Sequence, residues 1–169
     1  MSASDWVARF ASRVPPGPVL DLACGAGRHT RLFLDAGHPV VAVDRAMSLP
    51  AEPGLERLTA DLEDGSPWPL GERTFAGVVV TNYLHRPLFP AILSALAPGG
   101  LLIYETFAVG NERFGRPRNP DFLLRAGELL EVVAGHCSPL RPLQAGLQVL
   151  AFEDLELEDR VIQRIAARR

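Results

Sequence analysis

The stretch from Val19 to Arg28 constrains the fold of this chain more than any other part of the sequence. It reads VLDLACGAGR: an apolar strand that carries an acid, Asp21, and then a Gly-x-Gly turn leading into a helix that begins near His29. A second apolar strand, from Pro39 to Val43, is followed by another acid, Asp44. Parallel strands with a glycine turn and carboxylates at their carboxyl ends indicate a nucleoside-binding pocket in an α/β sheet.

The position of Asp21 indicates which kind of nucleoside the turn accepts. A dinucleotide site places a pyrophosphate over this turn, and a carboxylate at that point repels it. The third small residue of the dinucleotide pattern is also absent, because Thr30 occupies its position. A cationic ligand without phosphate fits better, and S-adenosylmethionine (SAM), with a sulfonium and an ammonium group, is such a ligand. The sequence therefore disfavours a nicotinamide dehydrogenase.

Three motifs, in this order, resemble those of the class I SAM-dependent methyltransferases. They are DLACGAGR from Asp21, VVAVD up to Asp44, and TADL from Thr59 to Leu62. The first motif is also similar to that of tellurite-resistance and thiol-type methyltransferases. The resemblance implies a Rossmann-like class I methyltransferase fold in a single domain over residues 1–169. It also implies methyl transfer from SAM to a small-molecule acceptor.

The resemblance places the cofactor at the carboxyl ends of the predicted strands. It implies that Asp21 orients the methionine ammonium directly or through water, that Asp44 accepts hydrogen bonds from both ribose hydroxyls, and that Asp61 reads the adenine amino group. The predicted cofactor-binding residues are Asp21, Ala23, Gly25, Gly27, Asp44, Asp61, Leu62 and Asn82. Each acid also has a simpler interpretation: Asp21 as a complement to a helix dipole, Asp44 as a turn residue and Asp61 as a surface acid.

Tyr83 and His85 follow the fourth predicted strand, where the resemblance places the methyl group and its acceptor. Methyl transfer is an in-line displacement, and a hydroxyl or ammonium acceptor needs a general base whereas an ionised acceptor does not. Tyr83 and His85 are the candidate catalytic bases, although His85 could equally start a helix. Tyr104 and Glu105 either line the acceptor pocket or only finish the fifth strand. No proline pair follows Asn82 and Tyr83, so the chain does not resemble adenine-N6 or glutamine-N5 enzymes.

A long connection from Phe107 to Pro120 leaves the same edge of the predicted sheet. It carries three arginines, Arg113, Arg116 and Arg118. Loops of this length in a small domain are usually functional or disordered. The loop is therefore interpreted either as a lid over an anionic acceptor or as a solvated connection. Under the second interpretation, the acceptor pocket is built from Trp6, Tyr83, His85 and Tyr104.

The remaining pattern predicts alternating helices and strands. The predicted helices run from a Ser4 cap through Val14, from His29 to Ala36, from Pro87 through Leu96 to a Pro98-Gly99-Gly100 stop, and from Ala126 to Ala134 with Leu129, Leu130 and Val133 facing inward. The further predicted strands are 55–60, 75–80, 101–104, 147–152 and 160–166. The last two are joined by a segment too short for a parallel crossover. We therefore predict a mostly parallel seven-stranded sheet with an antiparallel C-terminal hairpin, in which 160–166 lies beside strand five.

Composition narrows the functional class. A length of 169 residues with 47% hydrophobic content fits one globular domain, and a net charge of −3 argues against a general nucleic-acid or membrane partner. The four histidines and two cysteines lack metal-ligand spacing, so we expect no metal, free thiols at Cys24 and Cys137, and a cytoplasmic location. An RNA or protein methyltransferase and a non-catalytic SAM-binding subunit remain as alternatives. The acceptor and the oligomeric state stay open.

Overall fold

The computed structural model describes residues 2–135 and 146–169 as one sheet with helices against both faces. The helices are α1 (Asp5–Ala11), α2 (Arg28–Asp35), α3 (Phe89–Ser94) and α4 (Glu128–Val133), and short 3₁₀ turns cover Arg86–Leu88, Asn111–Arg113 and Pro120–Phe122. The strands are β1 (Val19–Leu22), β2 (Val40–Asp44), β3 (Leu55–Thr59), β4 (Phe75–Thr81), β5 (Leu96–Phe107), β6 (Gln148–Glu156) and β7 (Val161–Arg168). Cys137, predicted to be a free thiol, lies outside the described residues. Within those residues, no helix is both long enough and apolar enough to span a membrane.

The sheet has the predicted mixed topology. Its strand order is β3-β2-β1-β4-β5-β7-β6, with the first five strands parallel. Strand β7 is antiparallel to both of its neighbours: Ile165 lies opposite Tyr104 of β5 and opposite Phe152 of β6. The predicted insertion of the last strand between strand five and the strand before it is confirmed. The connection between β6 and β7 is short, and only an antiparallel hairpin can be closed by so few residues.

The strands bury side chains on both faces, as their near-continuous apolar sequences predict. On one face, Trp6 and Phe10 of α1 and Phe33 of α2 pack against residues such as Ile103. On the other face, the apolar residues of α3 and α4 pack against their alternating neighbours in the strands, such as Leu102. The two-residue repeat of a strand therefore divides the core into two layers, one on each face of the sheet.

The prediction for the segment between α3 and β5 was wrong. The helix ends at Ser94, and Leu96, which was expected on the helix, already belongs to β5 and pairs with Phe75. The register of this pairing shifts before Gly77 pairs with Leu101, so the expected Pro-Gly-Gly stop is an irregularity inside the strand. A Cβ on Gly100 would lie 2.8 Å from the carbonyl oxygens of Phe75 and Ala97. Glycine is required there because two backbones approach closely.

Leu130 and Trp6 do not take the positions that the sequence suggested for them. In α4 the buried residues include Leu129, Val132 and Val133, whereas Leu130 is exposed. The helix begins two residues later than predicted, and its six residues place Val132 on the core side. Trp6, considered for the acceptor pocket, is fully buried and donates its indole N–H to the carbonyl oxygen of Ile165 at 3.2 Å. It therefore packs against the sheet and is not among the residues that line the two cavities described below.

Candidate functional site

The candidate site lies at the carboxyl edge of the parallel strands, where the chain order reverses between β1 and β4. Strand β1 pairs with β2 on one side and with β4 on the other, so the loops after β1 and β4 leave in opposite directions. These loops carry Ala23 to Gly27 and Asn82 respectively. Ala23 and Asn82 both have positive φ, at 55° and 53°, which is uncommon for residues with side chains. The loops on both sides of the crevice thus contain a residue in the left-handed backbone conformation.

Asp44 holds the glycine loop in place. Its Oδ2 accepts a hydrogen bond from the amide of Gly25 at 2.9 Å, and its Oδ1 accepts one from the amide of Ala46 at 2.9 Å. Each carboxylate oxygen has a second lone pair, so both remain able to accept a hydroxyl. Gly27 has φ of 76°, and a Cβ there would collide with Leu49. The loop therefore favours glycine at this position for its backbone conformation, and any larger residue would also displace the Leu49 side chain.

Asp21 lies beneath the loop and is almost fully buried. Its carboxylate accepts a hydrogen bond from the Thr30 hydroxyl at 2.6 Å. Burial raises the pKa of Asp21 to about 6, against the lowering effect of the Thr30 hydrogen bonds. Thr30 is the residue that departs from the dinucleotide pattern, and its role as a partner of the buried acid is one that sequence reasoning missed. Asp21 itself lines neither of the two cavities described next.

A first cavity, here called the acidic cavity, lies over the carboxyl ends of β2 and β3. Its volume is about 310 Å³. Its lining residues are Ala23, Asp44, Arg45, Ala60, Asp61, Leu62, Glu63, Tyr83 and Phe122. The carboxylate of Asp61 accepts a hydrogen bond from the Glu63 amide at 2.9 Å, which fixes its direction. Asp44, Asp61 and Leu62 are thus brought together as predicted from the sequence, whereas Phe122 was not foreseen.

A second cavity, here called the glycine-loop cavity, lies beside the acidic cavity and has a volume of about 670 Å³. It is lined by the backbone from Ala23 to Arg28, by Thr81 and Asn82 after β4, and by Leu49 across the crevice. Ala23 lines both cavities. One elongated ligand can therefore place a nucleoside in the acidic cavity and an amino-acid tail in the glycine-loop cavity, passing over Ala23.

The two candidate bases occupy different environments. Tyr83 lines the acidic cavity, and its hydroxyl is buried without a hydrogen-bond partner among the described residues. Burial raises the pKa of Tyr83 above its usual range, and the nearby carboxylates of Glu63 and Asp61 raise it further. His85 precedes the 3₁₀ turn after β4, where its carbonyl oxygen accepts from the Leu88 amide at 3.0 Å. It is not among the residues that line either cavity.

Tyr104 and Glu105 both lie within β5 and do not end it. The Tyr104 side chain is buried in the core, and its hydroxyl donates to the carbonyl oxygen of Tyr83 at 2.8 Å. Glu105 accepts from the Ser4 hydroxyl at 2.7 Å and pairs with Arg164 at 3.2 Å. Tyr104 therefore supports the loop that carries Tyr83, and Glu105 anchors the start of α1.

His29 also belongs to this anchor, which the sequence did not reveal. Its Nε2 accepts a hydrogen bond from the Ser4 amide at 3.1 Å, and its Nδ1 lies 3.2 Å from the Thr81 hydroxyl. Burial lowers the pKa of His29 to about 4, so the ring is neutral at pH 7. A neutral ring is required to accept from an amide. The contact ties the N-terminal segment to the ends of α2 and β4.

The three loop arginines are not equivalent. Arg113 pairs with Glu156 of β6 at 2.7 Å and lies over the ring of Phe114. Arg116 and Arg118 have no carboxylate partner among residues 2–135 and 146–169, and they line an open groove that also includes Phe122. Arg113 is therefore already paired with a carboxylate, whereas Arg116 and Arg118 are the loop arginines left without such a partner in the described part of the chain.

The strand order, the glycine loop and the acids at the strand ends define the fold of the class I SAM-dependent methyltransferases. An S-adenosylmethionine-dependent methyltransferase from Mesorhizobium loti matches 99% of this chain and 98% of its own with a TM-score of 0.71 at 20% identity. Haemophilus influenzae TehB matches 96% of this chain and 61% of its own, with a TM-score of 0.68 at 18% identity. The predicted Rossmann-like fold is confirmed.

Sequence comparison also points to methyltransferases. A trans-aconitate 2-methyltransferase of Sinorhizobium medicae strain WSM419 is 33% identical over 111 residues, which cover 61% of this chain and 43% of that protein. Its counterpart in Sinorhizobium fredii is 34% identical over 102 residues, which cover 54% of this chain and 39% of that protein. The chain thus matches about two fifths of the length of these relatives. No model of a known protein family matches it. The resemblance to SAM-dependent methyltransferases predicted from the motifs is confirmed.

Proposed function

We propose that the chain binds SAM across the two cavities and transfers its methyl group to a small-molecule acceptor. The observation that carries this proposal is that Ala23 lines both the acidic cavity and the glycine-loop cavity. Carboxylates at Asp44 and Asp61 suit the hydroxyl and amine donors of an adenosine, and the bare backbone of the glycine loop suits an amino-acid tail. The buried carboxylate of Asp21 beneath the glycine loop disfavours a pyrophosphate and suits a cationic sulfonium ligand. The chain would act as a cytoplasmic enzyme.

We further infer that the acceptor is an anionic acid. The relatives with similar sequence are named for trans-aconitate, which is a carboxylate, and Arg116 and Arg118 are free of carboxylate partners within the described residues. The sulfonium supplies an activated methyl carbon when SAM is bound. A carboxylate oxygen forms the new bond to that carbon as the carbon–sulfur bond breaks, and the sulfur takes the electron pair. No proton moves, so neither Tyr83 nor His85 is needed as a base for this acceptor.

The test of the cofactor is calorimetry with SAM on Asp44→Ala and Asp44→Asn. Native affinity is expected on the order of micromolar. Loss of hydrogen bonds to a charged group costs about 1.5–3 kcal/mol, or roughly tenfold to 150-fold in Kd. Asp64→Ala is the matched control, because Asp64 also accepts from an amide two residues later, at 2.8 Å, but lies in an exposed loop. Unchanged SAM affinity in both Asp44 variants, or tighter binding of NADH than of SAM, would remove the proposal.

The acceptor is tested with tritiated SAM and trans-aconitate, other small acids, thiols, chalcogen oxyanions, phenols and bulk RNA. Transfer to a small acid supports the proposal, and His85→Ala should then retain activity. Transfer to RNA alone supports the RNA methyltransferase alternative. SAM binding without transfer to any of these acceptors favours a non-catalytic SAM-binding subunit. A requirement for His85 would instead support a hydroxyl or ammonium acceptor with a general base.

A further inference from the structure

Phe122 brings an aromatic ring to the acidic cavity from a part of the chain distant in sequence. It ends the 3₁₀ turn Pro120–Phe122 in the connection between β5 and α4. Its ring lines the same cavity as Asp61, Leu62 and Tyr83, and 43% of the residue is exposed. A large aromatic side chain that is half-exposed beside hydrogen-bonding carboxylates offers a surface for a planar group.

The backbone on both sides of Phe122 is fixed by one arginine. The guanidinium of Arg86 donates to the carbonyl oxygens of Asp121 at 2.9 Å and of Leu123 at 2.8 Å, the two neighbours of Phe122. The same guanidinium forms a two-point pair with Glu128 at 2.6 and 3.0 Å. The Glu128 side chain is only 2% exposed. Charge-assisted, bidentate bonds to a buried carboxylate give a defined geometry.

Residues that precede and follow Phe122 in sequence also anchor this turn. The Asn119 side chain caps the 3₁₀ turn by accepting from the Asp121 amide at 3.0 Å. Leu123 and Leu124, which follow Phe122, are buried. Arg86 itself follows Tyr83 closely in the loop after β4, so one loop of the site positions a residue from another. The end of the long connection is thus a fixed wall of the cavity.

We propose that Phe122 is the residue that stacks on the adenine ring of the cofactor, and that Arg86 is the positioning residue that holds it there. This inference rests on the proposed SAM site. Asp61 accepts from the adenine amine in the plane of the base, and Leu62 and Phe122 contact its faces. Two neighbouring parts of the connection between β5 and α4 then have separate tasks: the turn Pro120–Phe122 serves the cofactor, and Arg116 and Arg118 border the adjoining groove.

Calorimetry with S-adenosylhomocysteine tests the stacking role. Phe122→Ala should raise Kd about tenfold, in the range for loss of one base–aromatic contact, and Phe122→Tyr should change it less than about twofold. Phe114→Ala is the matched control. It removes the same type of side chain, 40% exposed, from the same connection, but Phe114 does not line the cavity. With S-ribosylhomocysteine, which lacks the base, Phe122→Ala and the native chain should bind alike.

A double-mutant cycle tests the positioning role. Arg86→Gln should weaken S-adenosylhomocysteine binding by about the same factor as Phe122→Ala, and the double variant should be little worse than either. Arg73→Gln is the control, since Arg73 also forms a bidentate pair, with Glu56, remote from the cavity. A fully additive loss would overturn the role of Arg86. Circular dichroism checks that each variant is folded, and the Phe122 variants test the stacking role even if Arg86→Gln unfolds.

The outcomes separate this inference from the proposed function. Weakened binding in Asp44→Ala together with native affinity in Phe122→Ala would support the SAM site but overturn the stacking role of Phe122. An equal loss with and without the adenine base would also overturn it, because the effect would not come from the base. Native affinity in the Asp44 variants would instead remove the SAM site itself.

Discussion

Replacement of Asp21 by Asn should stabilise the protein while weakening its site. The Asp21 carboxylate is buried beneath the glycine loop, with the Thr30 hydroxyl as its hydrogen-bond partner at 2.6 Å. An asparagine has nearly the same shape and keeps an oxygen that can accept from Thr30. The substitution therefore removes a buried negative charge without removing the hydrogen bond. The carboxylate is retained in the native chain at a cost in stability, which is expected of a residue kept for its charge.

The magnitude follows from the pKa. Burial raises the pKa of Asp21 from 3.8 to about 6, so the folded state holds the proton more tightly than the unfolded state. Stability therefore falls as the pH rises between these two values and is level above them. The corresponding cost to the native chain is about 3 kcal/mol at pH 8 and about 1.6 kcal/mol at pH 5. Asp21→Asn should remove most of this cost, with a larger gain at pH 8 than at pH 5.

Urea unfolding followed by circular dichroism, at pH 5 and pH 8, measures both values. Asp64→Asn serves as the control, because Asp64 lies in an exposed loop and its replacement should leave stability nearly unchanged. SAM affinity of Asp21→Asn should fall in the same samples. A gain that is the same at both pH values, or a loss of stability at pH 8, would refute the reasoning that burial of the charge sets the pKa.

Three other predictions follow from the same loops. Burial lowers the pKa of His29 to about 4, so the free energy of unfolding decreases as the pH falls below 6.5. Between pH 8 and pH 5, urea unfolding should show a decrease in this free energy that is about 2 kcal/mol smaller for His29→Gln than for the native chain. Burial raises the pKa of Cys24 to about 12, which lowers its thiolate population at pH 8 roughly 1,000-fold, so iodoacetamide should label it far more slowly than in the unfolded chain, by peptide mass spectrometry. Replacing Arg113, Arg116 and Arg118 together by Gln should raise the acceptor KM or lower kcat and change SAM affinity less than about twofold; intact acceptor kinetics would identify the loop as a solvated connection.

The fold could be predicted from the sequence because its decisive signals are local. The strand ending near Asp21, the strand ending at Asp44 and the short link before β7 each lie within about ten residues, and together they select one topology. The boundary between α3 and β5 was missed for the opposite reason. The carbonyl of Ala95 accepts from the amide of Phe75, and this contact across the sheet draws the chain out of the helix.

The sequence predicted only those site residues that directly follow a strand within a recognisable motif. Asp44 and Asp61 meet the glycine loop because parallel strands end together. Phe122 is held at the same cavity by Arg86, which is far from it in sequence and pairs with Glu128, and no local pattern encodes that contact. The burial of the Tyr83 hydroxyl likewise depends on packing between loops. Whether Tyr83 or His85 acts as a base stays a prediction.

The position of β7 has a consequence for how the protein is made. This strand is the last in chain order, yet it lies between β5 and β6 and pairs with β5 from Leu101 to Phe107. During synthesis β5 leaves the ribosome about sixty residues before its partner, with one backbone edge unsatisfied. The unpaired backbone groups of that edge, beside apolar side chains such as Leu102 and Ile103, can pair with another nascent chain. We expect slow, late completion of the sheet, with aggregation of stalled chains as the competing reaction.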